Sequence, residues 1–389
     1  MSPEVALDFF VSAAKFTREG DDEKGYLVRM NVPGMDAATQ QAQVVFVVKE
    51  DGAYKVLGNI PAVGGVARLA LNLVDDGKPE LAAVWLDRLR RELPPGNGDD
   101  PLSGPMFSRL WQTGSTAPRD PASIKLAAAA LAGMGNVSAQ VPAIAILEGG
   151  RSNTTGAAAA PLSAALAEAS FQAKQYNKSL AIAEDLVKQL PQSQTAVLLA
   201  SRAAYAAGGQ KEGRRVVEAY IGRFDQDPMA LRAIASVAMG FGDVETSAKL
   251  TRQIIDAGRA TPGDYNQIAW GDLMSAKTGP ASLEAANQGV LMMGNRPASG
   301  LLHTLAAVDA DIGKETEARA VLLQHMKLDG SPEPVDADWY VFGRIAEEYG
   351  LTKDAFAMYR RLERPKTDLG LAASSYALAQ RRLAGLQGK

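Results

Sequence analysis

Reactive chemistry has few places to start in this chain. Its 389 residues include two histidines, His303 and His325, and no cysteine. Disulfides, thiolate metal sites and cysteine nucleophiles are therefore excluded, and a multi-histidine metal centre lacks ligands. His303 lies in Leu301-Leu302-His303-Thr304-Leu305. As a general base it would need an orienting carboxylate and a nucleophile beside it. Asp309 and Asp311 stand about two helical turns further on, so a packed or partly exposed helix residue is the simpler role. His325, close to Lys327, falls near a helix C-terminus, where a cation complements the helix dipole. The patterns HExxH, GxSxG and GKS or GKT are absent. Gly150-Arg151-Ser152-Asn153-Thr154-Thr155-Gly156 lacks the lysine of a phosphate loop and reads as a flexible linker. No catalytic, cofactor-binding or metal-ligating residue is expected.

Charge points the same way. Lys plus Arg is 41 against 44 Asp plus Glu, a formal net charge of -3, without the basic excess that neutralises phosphates. Nucleic acid is not an expected partner. Basic clusters at Arg88-Arg91, Lys211-Arg215, Arg360-Lys366 and Arg381-Arg382 are diluted by Glu92, Glu212, Glu218 and Glu363, and read as solvated helix faces. Apolar residues at 47% suffice for a folded core. Runs such as Val44 to Val48 fall far short of the ~18 residues a spanning helix needs, so membrane insertion is not expected. Met1-Ser2-Pro3-Glu4-Val5 has no basic stretch leading into an apolar one. A cytoplasmic protein is expected, with the periplasm open if the chain is part of a longer precursor.

The elements divide by composition. Residues 1–60 read as a small α+β unit. It has a helix from Pro3 to about Lys15, strands at Tyr26–Val32 and Gln43–Lys49, and a hairpin through Asp51-Gly52 into Ala53–Leu57. One face of this sheet is expected to pack on the helices that follow. Residues 61–160 read as degenerate helical hairpins. Helices are expected over Val63–Val74, Pro79–Leu93 and Ser123–Met134, with a shorter one after them. A Pro/Gly-rich insertion at 94–120 carries Phe107, Leu110 and Trp111, too apolar for a simple tether. Gly149 to Ala160 reads as a small-residue linker.

In residues 161–389 three rows of residues recur. Prolines 191, 228, 262, 297, 332 and 365 are 37, 34, 35, 35 and 33 residues apart. Glycines 209, 242, 279, 313 and 350 are 33, 37, 34 and 37 apart. Small residues at Ala167, Ala204, Ala238, Gly271, Ala307 and Gly343 are 37, 34, 33, 36 and 36 apart. One unit accounts for all three rows. A first helix ends at glycine, which accepts the left-handed cap. A second helix follows and closes at a proline loop. The small residue lets the paired helices approach closely. A single hairpin leaves apolar surface open, so neighbours must stack.

Gly313-Lys314-Glu315-Thr316-Glu317-Ala318 and Gly350-Leu351-Thr352-Lys353-Asp354-Ala355 resemble the turn of the tetratricopeptide repeat (TPR) family, a 34-residue helix–turn–helix. Trp270-Gly271 and Phe342-Gly343 resemble its large-then-small pair. The resemblance covers about residues 161–386, some six hairpins and a final capping helix from Asp368. Residues 62–93 look like one more, degenerate hairpin, and the turn glycine is lacking near Gln175-Tyr176. It implies a mainly α fold, a TPR-like right-handed helical-repeat solenoid with the small N-terminal α+β unit. It further implies a protein or peptide partner in a groove lined by first helices. Tyr205, Arg232, Met239, Asp272 and Arg344 then face that groove. The Lys and Asn set with which some TPR domains grip a C-terminal carboxylate is not matched, since Ser201, Ala235 and Ile268 stand there. A non-catalytic scaffold or adaptor is the expected function. The alternatives are a subunit that pairs through its N-terminal sheet, and a hydrolase with its site in the N-terminal unit or around Trp111.

Overall fold

The computed structural model describes residues 15–31, 43–59, 64–93, 100, 102, 120–133, 140–154, 159–295, 298–365 and 370–387. The helix expected at Pro3–Lys15 and the aromatic residues of the insertion lie outside these. The described residues form two compact units, 1–203 and 204–389.

The first unit opens with a four-stranded antiparallel sheet in the order β1-β2-β3-β4: β1 Lys15–Asp21, β2 Gly25–Asn31, β3 Gln43–Glu50 and β4 Ala53–Asn59. β1, KFTREGD, is exposed almost throughout and has no apolar alternation that marks it as a strand. Asp51 and Gly52 both take positive φ, 53° and 79°, the geometry of a tight β3–β4 hairpin. Val44, Phe46 and Val48 alternate onto one buried face. That face packs on helix α2 (Pro79–Glu92), as expected. The Trp85 ring meets Phe46 edge-on at 6.1 Å between centroids. Gly25 is required here, because a Cβ on it would fall 2.3 Å from the Trp85 ring. Arg88 Nη1 donates to the carbonyls of Lys24 and Gly25 at 2.8 and 3.0 Å.

Hairpins begin before the repeat rows do. α1 (Gly64–Asp75) pairs with α2, α3 (Pro121–Gly133) with α4 (Gln140–Ser152), and α5 (Ala159–Gln172) with α6 (Tyr176–Gln189). The first helices α1, α3 and α5 also pack on one another in order. The linker expected from Gly149 is helical as far as Ser152. A Cβ on Gly150 would fall 2.4 Å from Leu126, so this glycine serves helix contact.

α7 (Gln194–Tyr220) is interrupted at Gly209, φ 65° and ψ -158°, where the chain reverses: a Cβ on Gly213 would lie 2.2 Å from the Tyr205 ring. Then come α8 (Pro228–Gly240), α9 (Val244–Asp256), α10 (Pro262–Met274), α11 (Pro280–Met292), α12 (Ser299–Asp311), α13 (Glu315–Leu328), α14 (Asp338–Glu348), α15 (Thr352–Tyr359) and α16 (Ser375–Gln387). In the second unit each first helix pairs with its own second helix, and α10, α12 and α14 pack on one another in sequence. Every residue from Leu301 to Ala310 of α12 is buried. Pro228 and Pro262 open first helices, where the missing amide costs nothing.

The left-handed turn appears as expected at Gly242, Gly313 and Gly350. At the third hairpin it falls on Ala276, φ 53°, while Gly279 is extended at the start of α11. In the hairpin without a turn glycine, Lys174 takes it, φ 59°. The same pair of amide bonds closes all of these turns. Asp243 N donates to Ala238 O at 2.8 Å, Lys277 N to Asp272 O at 2.9 Å, and Gln175 N to Ser170 O at 2.8 Å.

Candidate functional site

The five groove candidates lie in or beside first helices, but most of their polar heads are engaged within the protein. Tyr205 is 2% exposed and donates to Asp243 Oδ2 at 2.9 Å. Met239 is buried in α8. Arg344 is 3% exposed and holds Asp311, Glu347 and Glu348 at 3.0, 2.6 and 2.7 Å. Arg232 and Asp272 keep partial exposure. Arg232 Nε donates to Asp264 at 2.9 Å and Asp272 accepts from Ser282 Oγ at 2.7 Å.

Two carboxylates, Asp243 and Asp264, share one scheme: each stands at a helix start and takes a cation from the preceding repeat. Asp243 caps α9 by accepting from Thr246 N and Oγ1, and takes a two-pronged contact from Arg214 at 2.9 and 2.7 Å. Burial pushes its carboxyl up, but the guanidinium and the Thr246 donors outweigh it and hold it below the ordinary value. Asp264 repeats the pattern at α10. It accepts from Thr261 N and Oγ1 at 2.7 and 2.8 Å, and Arg232 with Thr261 overcomes the cost of burial. Sequence reading passed over both aspartates. The signals were there: Asp243 directly follows a turn glycine, and Thr261-Pro262-Gly263-Asp264 has the spacing of a capping box.

Both histidines are buried. His325 Nδ1 lies 2.6 Å from Ser299 Oγ and 3.0 Å from Ser299 O, and Nε2 lies 3.0 Å from Asp338 Oδ1. The Ser299 carbonyl can only accept, so Nδ1 donates there and is not placed to take the proton of the Ser299 hydroxyl. Asp338 also accepts from Val335 N at 3.0 Å, so the set brackets the start of α12, the end of α13 and the start of α14. His303 packs between Trp270 and His325, at 6.0 and 5.4 Å between ring centroids. Its Nε2 has no hydrogen-bond partner among the described residues. Burial lowers its pKa; the Ala337 carbonyl opposes this and His325 adds to it. Neither Asp309 nor Asp311 meets either ring, so the base-and-carboxylate set weighed around His303 does not assemble. Among the described residues no three His, Asp or Glu side chains are grouped to hold a metal, and no helix is long and apolar enough to cross a membrane.

The side made by the first helices of the second unit carries a segment of this same chain. Gly370 N donates to Gly240 O, the end of α8, at 3.0 Å. Trp270 Nε1 of α10 donates to Ala373 O at 2.8 Å. Arg381 reaches Met274 O and Leu273 O, the last carbonyls of α10, at 2.7 and 2.9 Å. Arg382 donates to Glu347 of α14 at 2.8 Å. Leu378, Ala379 and Leu383 join the apolar cluster of Leu273, Ala307, Val308 and Tyr340. The capping helix thus begins at Ser375, later than the sequence suggested, and the turn before it runs along α8 and α10.

No protein-family model matches the chain, and no curated protein does. Solved structures do. A tetratricopeptide repeat protein from Parabacteroides merdae aligns with 13% identity and a TM-score of 0.46, over 62% of this chain and 92% of that one. The human IFIT1 dimer with PPP-AAAA aligns with 13% identity and a TM-score of 0.39, over 83% and 73% of the two chains. The APC/C hetero-tetramer Cut9–Hcn1 aligns with 15% identity and a TM-score of 0.37, over 82% and 62%. What decides the fold is in the chain itself: stacked hairpins, those from α5 onward each with a left-handed turn and a small residue in the first helix. The fold is TPR-like. Within the second unit of this TPR-like array, side-chain charge ties one repeat to the next, and the C-terminal segment is held by backbone carbonyls at helix ends, the Trp270 indole, Glu347 and the apolar cluster.

Proposed function

We propose that this chain is a non-catalytic interaction scaffold, and that the first-helix face of its second unit holds a peptide or helix of a protein partner. The observation that carries the reading is the seat of residues 370–387. That face accepts a turn and a helix through the carbonyls of Gly240, Leu273 and Met274 and the Trp270 indole. These contacts read the occupant's backbone at Gly370 and Ala373 and its side chain at Arg381. An uncovered strip adjoins the seat. Met229, Ala233 and Ser236 fall on one stripe of α8 with Gly240, at spacings of four, three and four, and Met229 is 61% exposed. An exposed apolar side chain beside an occupied seat extends the surface a partner would cover.

Replacing Met229 by Glu and Ser236 by Arg tests this. Neither side chain is buried, and Glu near the start of a helix is favourable, so the melting temperature should stay within a few degrees. Proteins that co-purify with the wild-type chain should be lost from the double variant. Retention of all of them would defeat the assignment of this face.

A further inference from the structure

We infer that residues 370–387 act as a built-in competitor, occupying the partner seat until a partner helix of the same chemistry displaces them. The inference rests on the scaffold reading and adds both the partner's chemistry and the regulation.

The seat is electronegative. It consists of the carbonyl ends of α8 and α10, which carry partial negative charge, and of Glu347. The carboxyl of Glu347 is held ionised because Tyr359 and Arg344 outweigh the cost of burying it. The occupant supplies the complement: the adjacent cations Arg381 and Arg382, on a helix whose other face is Leu378, Ala379 and Leu383. The partner this seat fits is therefore an amphipathic helix with a paired-arginine edge on a Leu/Ala face. A lone basic peptide without the apolar face would leave the cluster around Leu273 and Tyr340 uncovered.

The entry of the occupant, residues 370–377, is held lightly compared with the array beneath it. None of residues 370–377 is buried, whereas every residue of Leu301–Ala310 is. The occupant's polar anchors are a handful of hydrogen bonds, most of them to backbone carbonyls, each worth on the order of 1 kcal/mol net, and its apolar anchors are Leu378, Ala379 and Leu383. The cleft of about 410 Å³ lined by Asp336, Ala337, Ser374 and Tyr376 runs beside its entry, so the segment is approached from solvent there. An internal occupant lowers the apparent affinity of any external one by the fraction of time the seat is empty.

The test uses the full chain and a fluorescent peptide of residues 370–387 read by anisotropy. Arg381→Ala with Arg382→Ala loosens the internal copy and leaves Leu378, Ala379 and Leu383 in place. The double variant should bind the peptide at least ten-fold more tightly than the wild-type chain does. A peptide with both arginines changed to Glu should bind neither protein. Trp270→Phe, which removes one donor and keeps a ring, should show the same effect in smaller degree and serves if the double variant proves unfolded by circular dichroism. Equal peptide affinity for wild type and folded variants overturns the inference. A concentration-dependent dimer of the variant that takes up no peptide overturns it in favour of exchange between two copies. Partner loss on changing Met229 and Ser236, together with unchanged peptide binding, would leave the scaffold reading standing and remove the competitor alone.

Discussion

Asp309 and His303 share the buried helix α12, and burial favours the neutral form of both, so their pKa values move in opposite directions. Burial raises the Asp309 carboxyl to about 6, with Lys314 opposing and Glu317 adding. The folded chain therefore holds a proton on Asp309 that the unfolded chain has released, across the window from 3.8 to about 6. Its contribution to stability falls as pH rises through that window and stays low above it. His303 has its folded value below 6.5. Above 6.5 it is neutral in both states. Below 6.5 the unfolded chain gains a proton that the fold refuses, and stability falls as pH falls. Asp309→Asn should therefore be more stable than wild type at pH 7.5, by on the order of 1–3 kcal/mol, with the difference vanishing near pH 4. His303→Met should gain on wild type as pH falls from 7.5 to 5. Urea midpoints at four pH values check both; a parallel shift at every pH would refute the titration account. Neither effect was visible in the sequence, where Asp309 stood merely as a distant candidate partner for His303. The run of Leu301, Leu302, Leu305, Ala306, Ala307 and Val308 around α12 marks a helix buried on all sides, but how far Asp309 is desolvated is set by the stack.

At the scale of the element, the turn between paired helices is the feature that sequence rendered best, and its one displacement is instructive. Gly242 and Ala276 occupy equivalent left-handed positions, φ 77° and 53°. An L-residue there costs roughly 1–2 kcal/mol, which glycine avoids. Gly242→Ala should destabilise by at least that much, since its new Cβ would also lie 3.0 Å from Ala372 of the C-terminal segment. Ala276→Gly should be neutral or stabilising by up to about 1 kcal/mol, because relief of strain offsets the freedom glycine gains when unfolded. Opposite signs in thermal melts support the assignment; a loss from both swaps would refute it. Periodicity fixed on the wrong glycine at 279 because Gly279-Pro280 also punctuates, though as the start of a helix. The strand β1 went unread for a related reason: Lys15–Asp21 lies at an exposed edge, and pairing with β2 replaces the apolar alternation by which strands are recognised. Helices α1 and α2 were legible almost to the residue, because their apolar positions recur at helical spacing and Asp75-Asp76-Gly77 interrupts them.

At the scale of the molecule, what the sequence withheld was contact between distant residues. Arg381 and Arg382 looked like a solvated basic pair; only the fold brings Arg381 to Leu273 and Met274, more than a hundred positions away. A stack of repeats coupled to nearest neighbours alone distributes a perturbation locally. In the second unit the C-terminal segment adds bonds that skip repeats, from α16 to α10 and from Gly370 to α8. Opening of the far repeats should then depend on the terminal helix. Arg381→Ala should speed amide hydrogen exchange in peptides covering residues 236–243 and 268–277, by several-fold, while 301–310, buried on every side, changes little. A nearest-neighbour stack gives the contrary pattern, with faster exchange confined to α14, α15 and α16. Exchange followed by mass spectrometry separates the two. Acceleration that stops at α14 would mean that the bonds to α8 and α10 carry no coupling, and that the terminal helix is a cap for the last hairpin alone.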